Sequence, residues 1–279
     1  MRDTKRLSFE FYPPKTGLGF ERLRTVRETL NQLNPDFFSC TYGAGGSTRD
    51  NTMAVIKAMR DEGFDIAPHL SFGGDSEDGI LSLLNSYKEL GVRRLVCLRG
   101  DIPSGVGIQR LVYAKELVEF VKKHFGDHFE MEVAAYPEMH PDAPSYDADV
   151  QFLKEKLDVG ASSAITQYFY NVESYKYFLY ACDKAGIDKP IYPGIMPLTN
   201  YENLARFSKN CGADIPRWLA YKLQSYGDDK SSLIDFGVEF MTDVCEQLLA
   251  LGAPGVHFYT MNQIEPNRQL VRNVQHYFQ

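Results

Sequence analysis

Cysteine is scarce and odd in number. The five residues Cys40, Cys97, Cys182, Cys211 and Cys245 include no CxxC pair. That argues against a disulfide framework or a zinc knuckle and fits a reducing compartment. Basic charge is also short, with 30 Lys and Arg against 37 Asp and Glu for a net charge of −7. A nucleic-acid partner would need a basic face, so none is expected. An anionic small ligand remains compatible, because a local cluster of Arg and Lys outweighs the global sign. No run approaches the roughly 20 apolar residues of a membrane span. Residues Met1 to Arg6 are polar and lack the apolar stretch of a secretory signal. A soluble, cytoplasmic protein with no membrane partner is expected.

What the chain does have is a rhythm. Short apolar runs occur at Leu7–Phe11, Phe37–Thr41, Ile66–Leu70, Leu95–Leu98, Met131–Ala135, Ala164–Phe169, Ile191–Ile195 and Val256–Tyr259. A helix-like stretch follows each, as in Phe20–Leu33, where Leu23, Val26, Leu30 and Leu33 recur near the 3.6-residue period. The others are Thr48–Arg60, Ser76–Leu90, Ile108–Phe125, Tyr146–Val159, Val172–Ala185, Tyr201–Ser208, Ser231–Leu251 and Asn267–Tyr277. Gly91, Gly160, Gly186 and Gly252 stand just after helices, where glycine adopts the left-handed C′ conformation without strain. Strands alternating with helices at a period of about 30 residues predict parallel βαβ units. Eight of them in this length predict an α/β fold, a single (β/α)8 TIM barrel spanning residues 1–279. The stretch Gly212–Asp229 interrupts the rhythm, and Ile215–Leu219 within it predicts an extra short helix.

In such barrels the chemistry gathers at the C-terminal ends of the strands. Glu10 sits there among aromatics in Ser8-Phe9-Glu10-Phe11-Tyr12. Desolvation at the barrel mouth is expected to raise its pKa and suit it to act as an acid, and a structural ion pair is the alternative. Arg99, Gly100 and Asp101 close the fourth run and combine an anion fork, an open backbone approach and a fixed negative charge. Their alternative is a surface Arg–Asp pair. Thr41 to Ser47 is glycine-rich before a helix start, which suits an anion or simply a tight turn. It matches neither a Walker A nor a GxGxxG loop. Tyr136 and His140 mark the fifth run's end, and His69 in the third is either a site residue or a satisfied core histidine. The first run lacks the His-x-His of metal-dependent barrel hydrolases, and His69, His140 and His257 come from different strands. No metal is expected.

Taken together, several collinear motifs resemble methylenetetrahydrofolate reductase. They are Phe9-Glu10-Phe11-Tyr12-Pro13-Pro14-Lys15, Thr41-Tyr42-Gly43-Ala44, Ala67-Pro68-His69-Leu70 and Leu98-Arg99-Gly100-Asp101. The series continues with Ala134-Ala135-Tyr136-Pro137-Glu138, His140-Pro141, Ala164-Ile165-Thr166-Gln167, Pro193-Gly194-Ile195-Met196-Pro197 and His257-Phe258-Tyr259-Thr260-Met261-Asn262. The chain looks like the short bacterial form, without the C-terminal regulatory domain.

The resemblance implies an oxidoreductase of one-carbon metabolism and methionine biosynthesis. Such a flavoprotein reduces 5,10-methylenetetrahydrofolate to 5-methyltetrahydrofolate with NAD(P)H, by ping-pong hydride transfer through FAD. Glu10 matches the general acid that aids opening of the folate's imidazolidine ring. Asp101 matches the carboxylate that stabilises a cationic intermediate. FAD would be held by Tyr42, Ala44, His69, Arg99, Gly100, Asp101, Tyr113, Ala114, Tyr136, His140, Ala143, Asp149 and Lys156. Thr41, Gln167 and Phe207 match positions that meet nicotinamide or folate, and Asn203 sits where the family often has a folate-contacting Gln. Gln263 stands where the family commonly has an Arg for an anionic part of the folate. Phe152 and Glu155 replace polar and basic residues near the adenine–diphosphate half of FAD, where Glu155 would be repulsive unless it turns outward. Barrels of this family commonly form homo-oligomers. Two rivals remain at this stage: a barrel flavoprotein reduced by a partner protein, and a non-catalytic folate- or flavin-binding subunit.

Overall fold

Strand β1 (Arg6–Phe11) alternates two kinds of side chain. Leu7, Phe9 and Phe11 are at most 1% exposed, while Arg6, Ser8 and Glu10 take the opposite face, as the period of two dictates. The apolar face packs under the helices. Phe38 stacks against Phe9 and Phe11 at centroid distances of 6.0 and 5.3 Å. Full burial of one such ring contributes about 1.5–3 kcal/mol. The polar face points into the barrel.

The computed structural model describes residues 5–42, 46–72, 75–100 and 113–278. After β1 come β2 (Phe37–Cys40), β3 (Ile66–Leu70), β4 (Arg94–Cys97) and β5 (Glu130–Ala135). They are followed by β6 (Ser163–Thr166), β7 (Ile191–Tyr192), β8 (Gly194–Ile195) and β9 (Gly255–Tyr259). Every pairing is parallel, in the order β7-β6-β5-β4-β3-β2-β1-β9-β8. The seventh run, expected as one strand, is two short ones because Pro193 has no N–H for the ladder. Its first half pairs with β6 and its second with β9, so this run closes the barrel. The Pro193 carbonyl still accepts the His257 amide at 3.0 Å.

Between the strands run α1 (Gly17–Asn31), α2 (Gly46–Asp61), α3 (Glu77–Glu89), α4 (Ala114–Phe125) and α5 (Tyr146–Asp158). Then come α6 (Val172–Lys184), α7 (Tyr201–Cys211), α8 (Arg217–Gln224), α9 (Lys230–Ala250) and α10 (Asn267–Asn273). Side-chain caps set several starts, as where Ser76 Oγ accepts the Gly79 amide at 3.2 Å ahead of α3. Gly91 and Gly186, after α3 and α6, have φ of 74° and 76°, the left-handed conformation expected of them. The helix expected over Ile108–Phe125 begins at Ala114 among the described residues, and 108–112 lie outside them. The extra helix near Ile215 is α8, which starts two residues later, after Pro216. Among the described residues, no helix is long and apolar enough to cross a membrane.

Candidate active site

The inward face of β1 carries Glu10 to the barrel mouth, with 19% of its side chain exposed. Its Oε2 lies 3.3 Å from His69 Nε2 of β3 and 3.7 Å from His257 Nε2 of β9. Each imidazole also meets a serine. Ser8 Oγ is 2.7 Å from His257 Nδ1, and Ser39 Oγ is 3.3 Å from His69 Nε2. Burial raises the Glu10 pKa, but the charge of His69 and the contacts with both histidines outweigh it and bring the pKa down to about 2. The expected upward shift is therefore corrected. Burial was foreseen, while the two histidines arrive from distant strands. Burial also lowers the pKa of His257, with Glu10 pulling the other way.

Beside this cluster opens a cavity of about 750 Å³. His69 lines it, along with Tyr42, Arg99, Gly100, Tyr113, Ala114, Tyr136, His140, Ala143, Asp149 and Lys156. Ala44 and Asp101 lie outside the described residues. The fold positions these groups by strand ends and by one helical stripe: Asp149, Phe152 and Lys156 of α5 share a face and all border the cavity. Lys156 is half-buried, desolvation pushes its ammonium down to about 8, and its Nζ donates to the Ala134 carbonyl at 2.6 Å. Burial raises the Asp149 carboxyl, which accepts the His140 amide at 2.8 Å. Arg99 pairs with Asp142 at 2.8 Å, and the Tyr136 and His140 rings meet edge-on at 4.6 Å. Gly100 has φ of 79°, and a Cβ there would come within 2.6 Å of Ser71 Oγ. Glycine is thus required at the lip on both conformational and steric grounds.

Glu155 has a partner of opposite charge. It borders the cavity, and Lys115 of α4 answers its charge at 3.3 Å.

The expected substrate residues do not line this cavity. They lie on neighbouring strand ends and loops. Thr41 follows β2, and its carbonyl accepts the Thr52 hydroxyl at 3.0 Å. Gln167 follows β6, and its Oε1 accepts the Tyr168 amide at 3.0 Å. Asn203 and Phe207 are on α7. Asn203 is exposed and its Oδ1 accepts from Arg206 at 3.0 Å, while the Arg206 guanidinium lies 5.4 Å from the Phe207 ring. Gln263, beyond β9, is exposed.

Sequence reasoning missed His257 as a neighbour of Glu10, Lys115 as the partner of Glu155, and Tyr259. The Tyr259 hydroxyl donates to the Thr166 carbonyl at 2.6 Å across the barrel. A Cβ at Gly194 would lie 2.2 Å from that carbonyl oxygen and 2.6 Å from the Tyr259 ring. The one signal available for His257 was the polar residue repeated at inward positions of the first and last strands.

Comparison with known proteins matches the architecture and the motifs. Among solved structures, a Clostridium thermocellum protein described as binding two copies of 5-methyl-5,6,7,8-tetrahydrofolic acid has a TM-score of 0.69. That alignment has 18% identity and covers 99% of this chain and 96% of that one, a likeness of fold. The Arabidopsis thaliana methylenetetrahydrofolate reductase (NADH) 1 is 35% identical over 270 residues, 91% of this chain and 46% of that one. The 5,10-methylenetetrahydrofolate reductase of Escherichia coli (strain K12) is 40% identical over 260 residues, 93% of this chain and 87% of that protein. The family model for methylenetetrahydrofolate reductase matches residues 2–275, and the chain belongs to that family.

Proposed function

We propose that this chain reduces 5,10-methylenetetrahydrofolate to 5-methyltetrahydrofolate, with FAD in the cavity and NAD(P)H as reductant, in ping-pong order. One observation carries the reading: His69 both lines the cavity and meets the Glu10 carboxylate at 3.3 Å. A ligand-sized space thus borders a group that can hold a proton. The donor set suits a flavin dinucleotide. Arg99 and Lys156 are cations for a diphosphate, Tyr136 and His140 offer rings, and Gly100 leaves the backbone open to close approach.

A bound FAD would supply the hydride transfer between nicotinamide and folate. The protein binds, orients and manages the proton. Glu10 Oε2 shares a proton with His69 Nε2, with His257 Nε2 nearby at 3.7 Å, and an amine nitrogen arriving at the carboxylate draws that proton to it. Asp101 is the proposed carboxylate beside the flavin, and its charge favours a developing cation on the folate. Thr41, Gln167, Asn203, Phe207 and Gln263 are proposed to meet the nicotinamide and the folate in turn. Arg206, next to Asn203 and Phe207, offers a cation to the acidic tail of a folate where Gln263 cannot.

The absorption spectrum of the purified protein tests this, followed by anaerobic addition of NADH or NADPH. A flavin spectrum, FAD released on denaturation and bleaching by the nicotinamide are expected. A colourless protein that takes up no added FAD would overturn the reading, and an FAD protein reduced by neither nicotinamide would overturn the choice of reductant.

A further inference from the structure

One group on the cavity wall is out of character with its neighbours. Phe152 lies on α5 one turn from Asp149 and one turn from Lys156, on the helix stripe that borders the cavity. The buried stripe of the same helix is Val150, Leu153 and Leu157, so Phe152 is not part of the barrel packing. Its side chain is 48% exposed. Many aromatic rings of this chain have a ring or cation partner, but among the described residues Phe152 has none. An exposed phenyl on a cavity wall leaves apolar surface in water that a flat ligand would cover.

The charge nearby narrows the choice of ligand. Lys115 and Glu155 also border the cavity, and they answer each other at 3.3 Å. That end of the wall therefore offers a ring face and a neutralised ion pair. A second anionic group would find little there, whereas a planar, uncharged heteroaromatic ring would find a stacking surface.

We propose that Phe152 is the stacking platform for the adenine ring of the bound dinucleotide and sets the preference for FAD over flavin mononucleotide. The inference rests on the FAD reading above and concerns which part of the molecule this wall recognises. Recognition here is by stacking, so it tolerates salt, in contrast to any contribution from Arg99 and Lys156, which weakens with screening.

The test titrates FAD and flavin mononucleotide into purified protein freed of endogenous flavin, read by flavin fluorescence, for wild type, Phe152→Ala and Phe152→Trp. Wild type is expected to favour FAD. Phe152→Ala should weaken FAD binding about 5- to 100-fold, the range of one stacked base, and leave flavin mononucleotide binding unchanged. Phe152→Trp should keep FAD affinity, and melting temperatures should stay close to wild type for this exposed position. If FAD binds wild type and Phe152→Ala equally, or if both flavins weaken together in Phe152→Ala, the platform is overturned while the FAD reading stands. If wild type binds neither flavin, both fall.

Discussion

The barrel encloses two carboxylates, one near each end, and their surroundings differ in kind. Glu132 sits near the N-terminal ends of the strands with 0% of its side chain exposed. Arg6 reaches it through two nitrogens at 2.8 and 3.2 Å, Arg94 at 2.7 Å, and the Ser163 hydroxyl also donates to it. Arg6 in turn lies 3.2 Å from the Tyr192 ring centroid, and Arg94 lies 4.7 Å from that of Phe37. Glu10, near the C-terminal ends, is 19% exposed and its partners are two histidines. Burial raises both pKa values, and in both the partners win and bring them down. The contrast lies in the partners. Guanidinium does not lose its proton in a protein, so Glu132 is a fixed charge in a sealed network. Imidazole, unlike guanidinium, can give up its proton, so the Glu10 cluster is able to exchange one next to an open cavity. The same carboxylate is structural at one end and chemically available at the other, matching the division of labour between the two faces of such barrels.

The comparison can be broken first at its structural end. Glu132→Ala leaves the half-buried Arg6 guanidinium without its anion and Arg94 with only the exposed Glu130, and should cost about 3–5 kcal/mol, read by denaturant unfolding. The folded fraction should retain the chemistry of the opposite end. A variant of near wild-type stability would mean that Arg6 and Arg94 find water.

A smaller effect should appear at the Glu10 end in acid. The Glu10 pKa falls from 4.5 to about 2 on folding. Its contribution to stability is therefore present above pH 4.5 and is lost as pH falls through 2. Glu10→Gln should flatten the acid limb of the stability curve in that window, by on the order of 3 kcal/mol. Parallel limbs in variant and wild type would place the histidines too far away to matter.

Lys156 should give a milder signature. Burial lowers its pKa to about 8, and a bound anion favours its protonated form. FAD affinity should hold steady below pH 8 and fall by up to about tenfold per unit above it. Lys156→Met should bind FAD more weakly below pH 8 and lose that pH dependence. A wild-type affinity that is flat from pH 7 to 9.5 would remove Lys156 from the anion site.

Much of this was legible in the chain. The alternation of Leu7, Phe9 and Phe11 with Ser8 and Glu10 reads directly as a strand with two faces, and Ser76 or Gly91 mark helix ends by local chemistry alone. What could not be read was lateral. Ser8 stands opposite His257 only because β9 closes on β1, a register set by the whole barrel. The direction of the Glu10 pKa depends on that closure, so a reading of burial alone gave the wrong sign. Lys115 and Glu155 meet across the packing of α4 on α5, a pairing that helix periodicity does not specify. Pro193 lies inside one expected run, and only the sheet order makes it the point where the barrel closes.

The central claim is that Glu10 manages a proton for the folate and not for the flavin. Rapid mixing of Glu10→Gln separates the two half-reactions. The variant keeps the size and hydrogen bonding of the side chain but cannot donate the proton. Reduction of the flavin by NAD(P)H should proceed at a near wild-type rate, and reoxidation by methylenetetrahydrofolate should slow by about 10²–10⁴-fold, the usual contribution of a general acid. If reoxidation by methylenetetrahydrofolate keeps its wild-type rate, Glu10 is a structural carboxylate like Glu132, and the proposed division between the two ends of the barrel is wrong.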